Sequence, residues 1–136
     1  MSDSVEGTVR DLARGGEGVV GTQMGVVFAS GVLPGERVRL SGIHKSGGNL
    51  RAERADVLDA SAQRVEPACP IAARCGGCPL MIATAPLQAK FKRALVRTAL
   101  EKLPGGEEVE LDWVASSQSL AYRARSRVAW SAGPRG

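Results

Sequence analysis

The stretch Val26-Val-Phe-Ala-Ser-Gly-Val-Leu-Pro-Gly-Glu-Arg-Val-Arg-Leu-Ser-Gly-Ile43 decides the fold. It holds two β-type runs, Val26–Ala29 and Arg37–Ile43, on either side of the turn Leu33-Pro-Gly-Glu36. In the second run Val38 and Leu40 share one face, the period of two expected of a half-buried strand. Upstream, Gly7–Leu12 reads as a first strand, Ala13–Gly18 as a turn and Val19-Val20 as a short second strand. Downstream, His44 falls in a turn, Lys45–Asn49 continues it, and Leu50–Leu58 forms a fifth strand. Short strands separated by closely spaced turns predict a small closed or nearly closed β-barrel. Gly16-Glu-Gly18-Val-Val-Gly21 matches G-x-G-x-x-G, with Glu36 near the spacing of a ribose-binding acid. A dinucleotide fingerprint must open a helix, however, and these glycines lead into β-branched residues, so they read as hairpin glycines that support positive φ.

Beyond the barrel, Cys69-Pro-Ile-Ala-Ala-Arg-Cys75-Gly-Gly-Cys78 holds all three cysteines of the chain within ten residues. Such crowding suits thiolates that share one metal centre, and the glycine pair Gly76-Gly77 lets the backbone bend beneath the sulfurs. A structural disulfide would leave one thiol over. A thioredoxin-like Cys-x-x-Cys needs a strand before it and a helix starting at it, where this sequence has the loop Pro67–Arg74. Zinc held by the three Cys and His44 is chemically allowed. An iron–sulfur cluster explains the clustering best, although such clusters usually take four cysteines.

After this segment the apolar period changes to about 3.6. Thr84 as cap, Pro86 in the first turn and Pro104-Gly105-Gly106 as the stop predict a helix over 85–103. Leu87, Phe91, Ala94, Leu95, Thr98 and Ala99 form its expected buried stripe, with Lys90, Arg93 and Arg97 in a row on the opposite side. Two more strands are expected, over 107–113 and 122–131. In the latter Arg123, Arg125 and Arg127 project from one face, either towards phosphates or towards Glu108, Glu110 and Asp112 on the neighbouring strand. Gly133-Pro-Arg-Gly136 reads as a hairpin turn.

Taken jointly, Arg64-Val-Glu-Pro-Ala-Cys69, Cys75-Gly-Gly-Cys78, Leu87-Gln-Ala-Lys90 and Tyr122-Arg-Ala-Arg125 resemble the N-terminal half of bacterial RNA (uracil-5-)-methyltransferases. Phe28-Ala-Ser-Gly-Val-Leu-Pro-Gly-Glu36 is similar to the signature turn of their leading TRAM domain. The resemblance implies that residues 1–62 are an OB-like, RNA-binding TRAM barrel, that 63–84 are an iron–sulfur segment, and that 85–136 comprise a helix and the start of a central, RNA-contacting β domain. It also implies a 4Fe–4S cluster on Cys69, Cys75 and Cys78, with the fourth ligand outside this chain. Structured rRNA or tRNA is the implied partner, contacted through Lys90, Arg93, Arg97, Arg123, Arg125 and Arg127. S-adenosylmethionine would be bound by a further catalytic domain, for which 136 residues leave no room, and no cysteine after Cys78 offers a nucleophile. The expectation is a truncated or split methyltransferase, inactive alone, with its methyltransferase domain encoded separately. The competing expectations are a stand-alone TRAM-type RNA-binding module with a vestigial metal site, which is no enzyme, and a small electron-transfer protein.

Charge distribution favours a polyanionic partner. Residues 1–62 hold 7 Lys/Arg against 8 Asp/Glu, a net of −1, whereas 63–103 hold 7 against 2, a net of +5 beside the cysteines. No apolar run approaches the roughly 18 residues of a membrane span, and Met1-Ser-Asp-Ser-Val-Glu is no secretory signal, so a cytoplasmic location is expected.

Overall fold

A computed structural model describes residues 4–128. Five strands, β1 (Val5–Leu12), β2 (Gly18–Thr22), β3 (Gly25–Ala29), β4 (Arg37–Ser46) and β5 (Asn49–Asp59), form the closed barrel β1-β2-β3-β5-β4. All neighbours are antiparallel except β3 and β5, which pair parallel through Val27↔Leu50 and Phe28↔Arg51. This is the expected OB-like barrel. His44 lies in β4, which runs three residues past Ile43, and is exposed there. The turn expected at His44 is displaced to Gly47-Gly48, where both glycines adopt positive φ.

Alternation fills the interior. Val9, Val20, Val27, Val38 and Leu40 are each at most 1 % exposed and form one cluster with Val5, Ala29 and Val32. In β1 the register slips between Val9 and Asp11, a bulge that returns Leu12 to the buried side after two exposed residues. Of the three fingerprint glycines, only Gly16 has positive φ (88°). Gly18 is present for space, since a Cβ there would lie 2.3 Å from Val32 Cγ2; at Gly21 a Cβ would meet only the guanidinium of the exposed Arg10, which can swing aside. No helix opens at these glycines, so the dinucleotide reading fails as expected.

Two helices follow, α1 (Ala72–Cys75) and α2 (Ala85–Leu100). Thr84 precedes α2 without capping it through its side chain; its hydroxyl donates to Gln63 Oε1 instead. The expected buried stripe is only partly realised. Leu87, Phe91 and Leu95 are half-buried, while Ala94, Thr98 and Ala99 are exposed and no residue of α2 is fully buried. A helix packed against little besides the short 3-10 turn Gly106–Glu108 has nothing to cover a wide apolar face.

The strand expected over 107–113 is not formed. Its first residues belong to the 3-10 turn, and 109–128 carry no repeating structure. A strand requires a hydrogen-bonding neighbour, and none lies beside these residues among those described. The strand expected over 122–131 is likewise absent as far as Val128; its remainder and the turn at Gly133–Gly136 lie outside the described residues. No helix among the described residues is long and apolar enough to cross a membrane.

Candidate functional site

The cysteine segment leaves the barrel through one buried ion pair. Glu36 ends the turn that links β3 to β4, is 0 % exposed, and accepts hydrogen bonds from Leu33 N (2.8 Å) and Ser61 N (3.1 Å). Arg64 completes the set, donating from Nε to Oε1 (2.6 Å) and from Nη2 to Oε2 (2.8 Å), and Nη2 also reaches the carbonyl of Gly31 (2.8 Å). Burial pushes the Glu36 carboxyl up, but the Arg64 guanidinium and the two backbone N–H groups outweigh it and hold the group below its ordinary value. The Arg64 guanidinium is in turn raised by its bonds to Glu36. Neither partner was singled out from sequence for this role. The only signal was an acid closing the apolar turn Val32-Leu33-Pro-Gly-Glu36, and its partner stands 28 positions away.

From Arg64 the chain runs into a closed loop. Arg64 bridges to the buried Ala83, with Val65 N donating to Ile82 O (2.8 Å) and Thr84 N to Gln63 O (2.9 Å). The ends of the cysteine segment are therefore stapled together at the point where α2 begins. At the far side, Pro79 lies where a Cβ on Gly16 would come within 3.0 Å, so the loop also rests on the β1–β2 turn.

Within the loop the expected bend is present. Gly76 takes a left-handed conformation (φ 68°) that ends α1, and Gly77 lies close beneath Cys75 Sγ, 3.4 Å from a Cβ built there. The stretch read as a loop before Cys75 contains the helical turn α1, and Cys75 closes that turn; a thioredoxin-like cysteine opens a helix. All three thiols are free, Cys75 and Cys78 exposed and Cys69 half-buried. They suit iron or zinc by donor chemistry. Among the described residues no three His, Cys, Asp or Glu side chains are gathered closely enough to hold a metal ion.

The basic residues divide into two groups. Lys90 and Arg93 are exposed on α2, while Arg97 is half-buried and donates to Gly106 O (3.5 Å). Arg93 and Arg97 line an open depression of about 420 Å³ together with Ala94, Leu111 and Glu110, so one carboxylate shares their surface. Arg123, Arg125 and Arg127 are exposed, and Arg123 lies 5.7 Å above the ring of Tyr122. Among the described residues no ion pair joins them to Glu108, Glu110 or Asp112. Without a strand, no pleat aligns the three on one face, so the expected row is not built.

No family model matches the chain. It is 37 % identical over 127 residues to the 23S rRNA (uracil(1939)-C(5))-methyltransferase RlmD of Erwinia tasmaniensis, a match covering 93 % of this chain and 29 % of that protein. It is 34 % identical over 130 residues to an uncharacterized RNA methyltransferase of Listeria innocua, covering 93 % of this chain and 28 % of that one. Among solved structures, the Pyrococcus abyssi tRNA (uracil-54, C5)-methyltransferase in complex with S-adenosyl-L-homocysteine shares the fold over 71 % of this chain and 21 % of its own, with a TM-score of 0.57 and 24 % identity. The chain spans less than a third of the length of these relatives. On the sequence likeness the chain is similar to RNA (uracil-5-)-methyltransferases over less than a third of their length.

Proposed function

We propose that this chain is the RNA-engaging and cysteine-bearing portion of an S-adenosylmethionine-dependent RNA (uracil-5-)-methyltransferase acting on structured rRNA or tRNA. The observation that carries this reading is the 37 % identity, over 93 % of the chain, to an enzyme named for methylating a 23S rRNA uracil. In this reading residues 1–62 are the TRAM barrel, 63–84 the cluster segment and 85–136 the entry to the next domain. The complex of the archaeal relative with S-adenosyl-L-homocysteine supports S-adenosylmethionine as the methyl donor.

Lys90, Arg93, Arg123, Arg125 and Arg127 are the proposed phosphate contacts, because they are cations at the surface and none forms an ion pair among the described residues. Arg97, turned towards Gly106, contributes field more than contact. Each neutralised phosphate releases condensed counterions, so log affinity for a folded RNA should fall with log salt by roughly 0.7 to 0.9 per contact. Changing Arg123, Arg125 and Arg127 together to Ala should lower that slope by about two to three contacts and weaken different sequences alike. Binding titrations across a salt series check this; a slope unmoved by the triple change removes these residues from the interface.

Cys69, Cys75 and Cys78 are the proposed thiolate ligands of an iron–sulfur cluster, which the resemblance makes a 4Fe–4S centre with its fourth ligand elsewhere. Their support is donor type, confinement to one stapled loop, and Gly77 beneath a sulfur. Anaerobic reconstitution with iron and sulfide should give broad absorption near about 400 nm that Cys75→Ala weakens, and three thiolates should leave the centre labile to air. Stoichiometric zinc with no visible band would assign the loop to zinc instead.

A further inference from the structure

We infer that Arg64 is a positioning residue: through Glu36 it latches the closed cysteine loop and the start of α2 onto the barrel, as a unit that opens separately from the barrel itself. Three observations converge on this residue. Its guanidinium is held bidentately by a carboxylate that is 0 % exposed. Its backbone lies between Gln63 and Val65, whose bonds to Thr84 and Ile82 close the loop. The same carboxylate binds Ser61 N, in the connector from β5, and Leu33 N, in the turn before β4. One side chain thus ties the barrel turn, the connector and the loop base together.

The remaining attachments are weak by comparison. Pro79 rests on Gly16, an apolar contact at a turn, and α2 buries no residue fully. The barrel, by contrast, is closed by its own ladders around its own apolar cluster, to which the loop contributes nothing. Elements with little buried apolar surface open at lower free energy than a closed core. The Glu36–Arg64 pair is therefore what sets the orientation of the cysteine segment. The latch acts on the loop's attachment, whether the loop takes iron, zinc or no metal.

The test is hydrogen exchange on the 136-residue chain carrying Glu36→Gln together with Arg64→Met. The pair is neutralised on both sides, so no buried charge is stranded; the single carboxamide oxygen keeps one of the two backbone bonds, from Leu33 N or from Ser61 N, which the carboxylate accepts on separate oxygens. The amides of Val65 and Thr84, which close the loop, should exchange at least tenfold faster, while the β2 and β3 amides keep their rates. Unchanged protection at Val65 and Thr84 would overturn the inference. So would acceleration of the barrel amides by the same factor, since loop and barrel would then open as one body.

Discussion

Replacing Glu36 with Ala is expected to lower folding stability by about 3 kcal/mol, towards the lower end of the range for breaking a buried ion pair. The change strands the Arg64 guanidinium and orphans the N–H groups of Leu33 and Ser61. The lower end applies because the Arg64 side chain retains 25 % exposure and can recruit water. Removing the exposed Arg37–Asp59 pair should leave stability close to the parent's by comparison, since both partners are already solvated. Urea denaturation of the two variants side by side measures the contrast. Glu36 also makes stability depend on pH with a defined sign. Its folded value lies below the ordinary 4.5, so its contribution is complete above that value and is lost as pH falls through the folded value. Glu36→Gln should flatten this acid limb. If the gap between parent and Gln variant is the same at neutral pH and near pH 3, the carboxylate is not the group responsible.

The ion pair also marks where sequence reading stops. The barrel was legible because its determinants are local: alternation in Arg37–Ile43 requires one buried face, and Val38 and Leu40 are both 0 % exposed. The helix was legible from Pro86 at its first turn and the glycines after it. The width of its buried face was not, because burial depends on what packs opposite, and little does. The strands expected over 107–113 and 122–131 failed for the same reason, since β-propensity produces a strand only beside a partner. Of the candidate site, the cysteine crowding and the Gly76 bend were visible in the residues themselves. How the loop is attached was not, because Glu36 and Arg64, 28 positions apart with β4 and β5 between them, meet only in the closed five-stranded barrel.

The fingerprint glycines show a second kind of non-local information, and Gly18 carries the other large effect. A Cβ there would lie 2.3 Å from Val32 Cγ2 and 3.2 Å from Val9 Cγ1, and both valines are 1 % exposed inside the closed barrel. Neither can swing outward as a long side chain would, so the strain must be taken up by the backbone or by neighbouring core residues. Gly18→Ala should cost about 1 to 3 kcal/mol by overpacking, and Gly18→Val should leave the barrel largely unfolded in a domain with about 5 to 15 kcal/mol in hand. Gly15 provides the contrast within the same turn. It has nothing within 4 Å and no positive φ, so Gly15→Ala should be neutral or slightly stabilising. Trimming the obstruction identifies the cause. In a double-mutant cycle, Val32→Ala should recover about 1 kcal/mol or more of the Gly18→Ala loss, because the methyl it removes is the one that Cβ meets. Thermal or urea melts of the four proteins give the coupling. Strict additivity of the two changes would mean that Gly18 is required for its backbone rather than for the space above it.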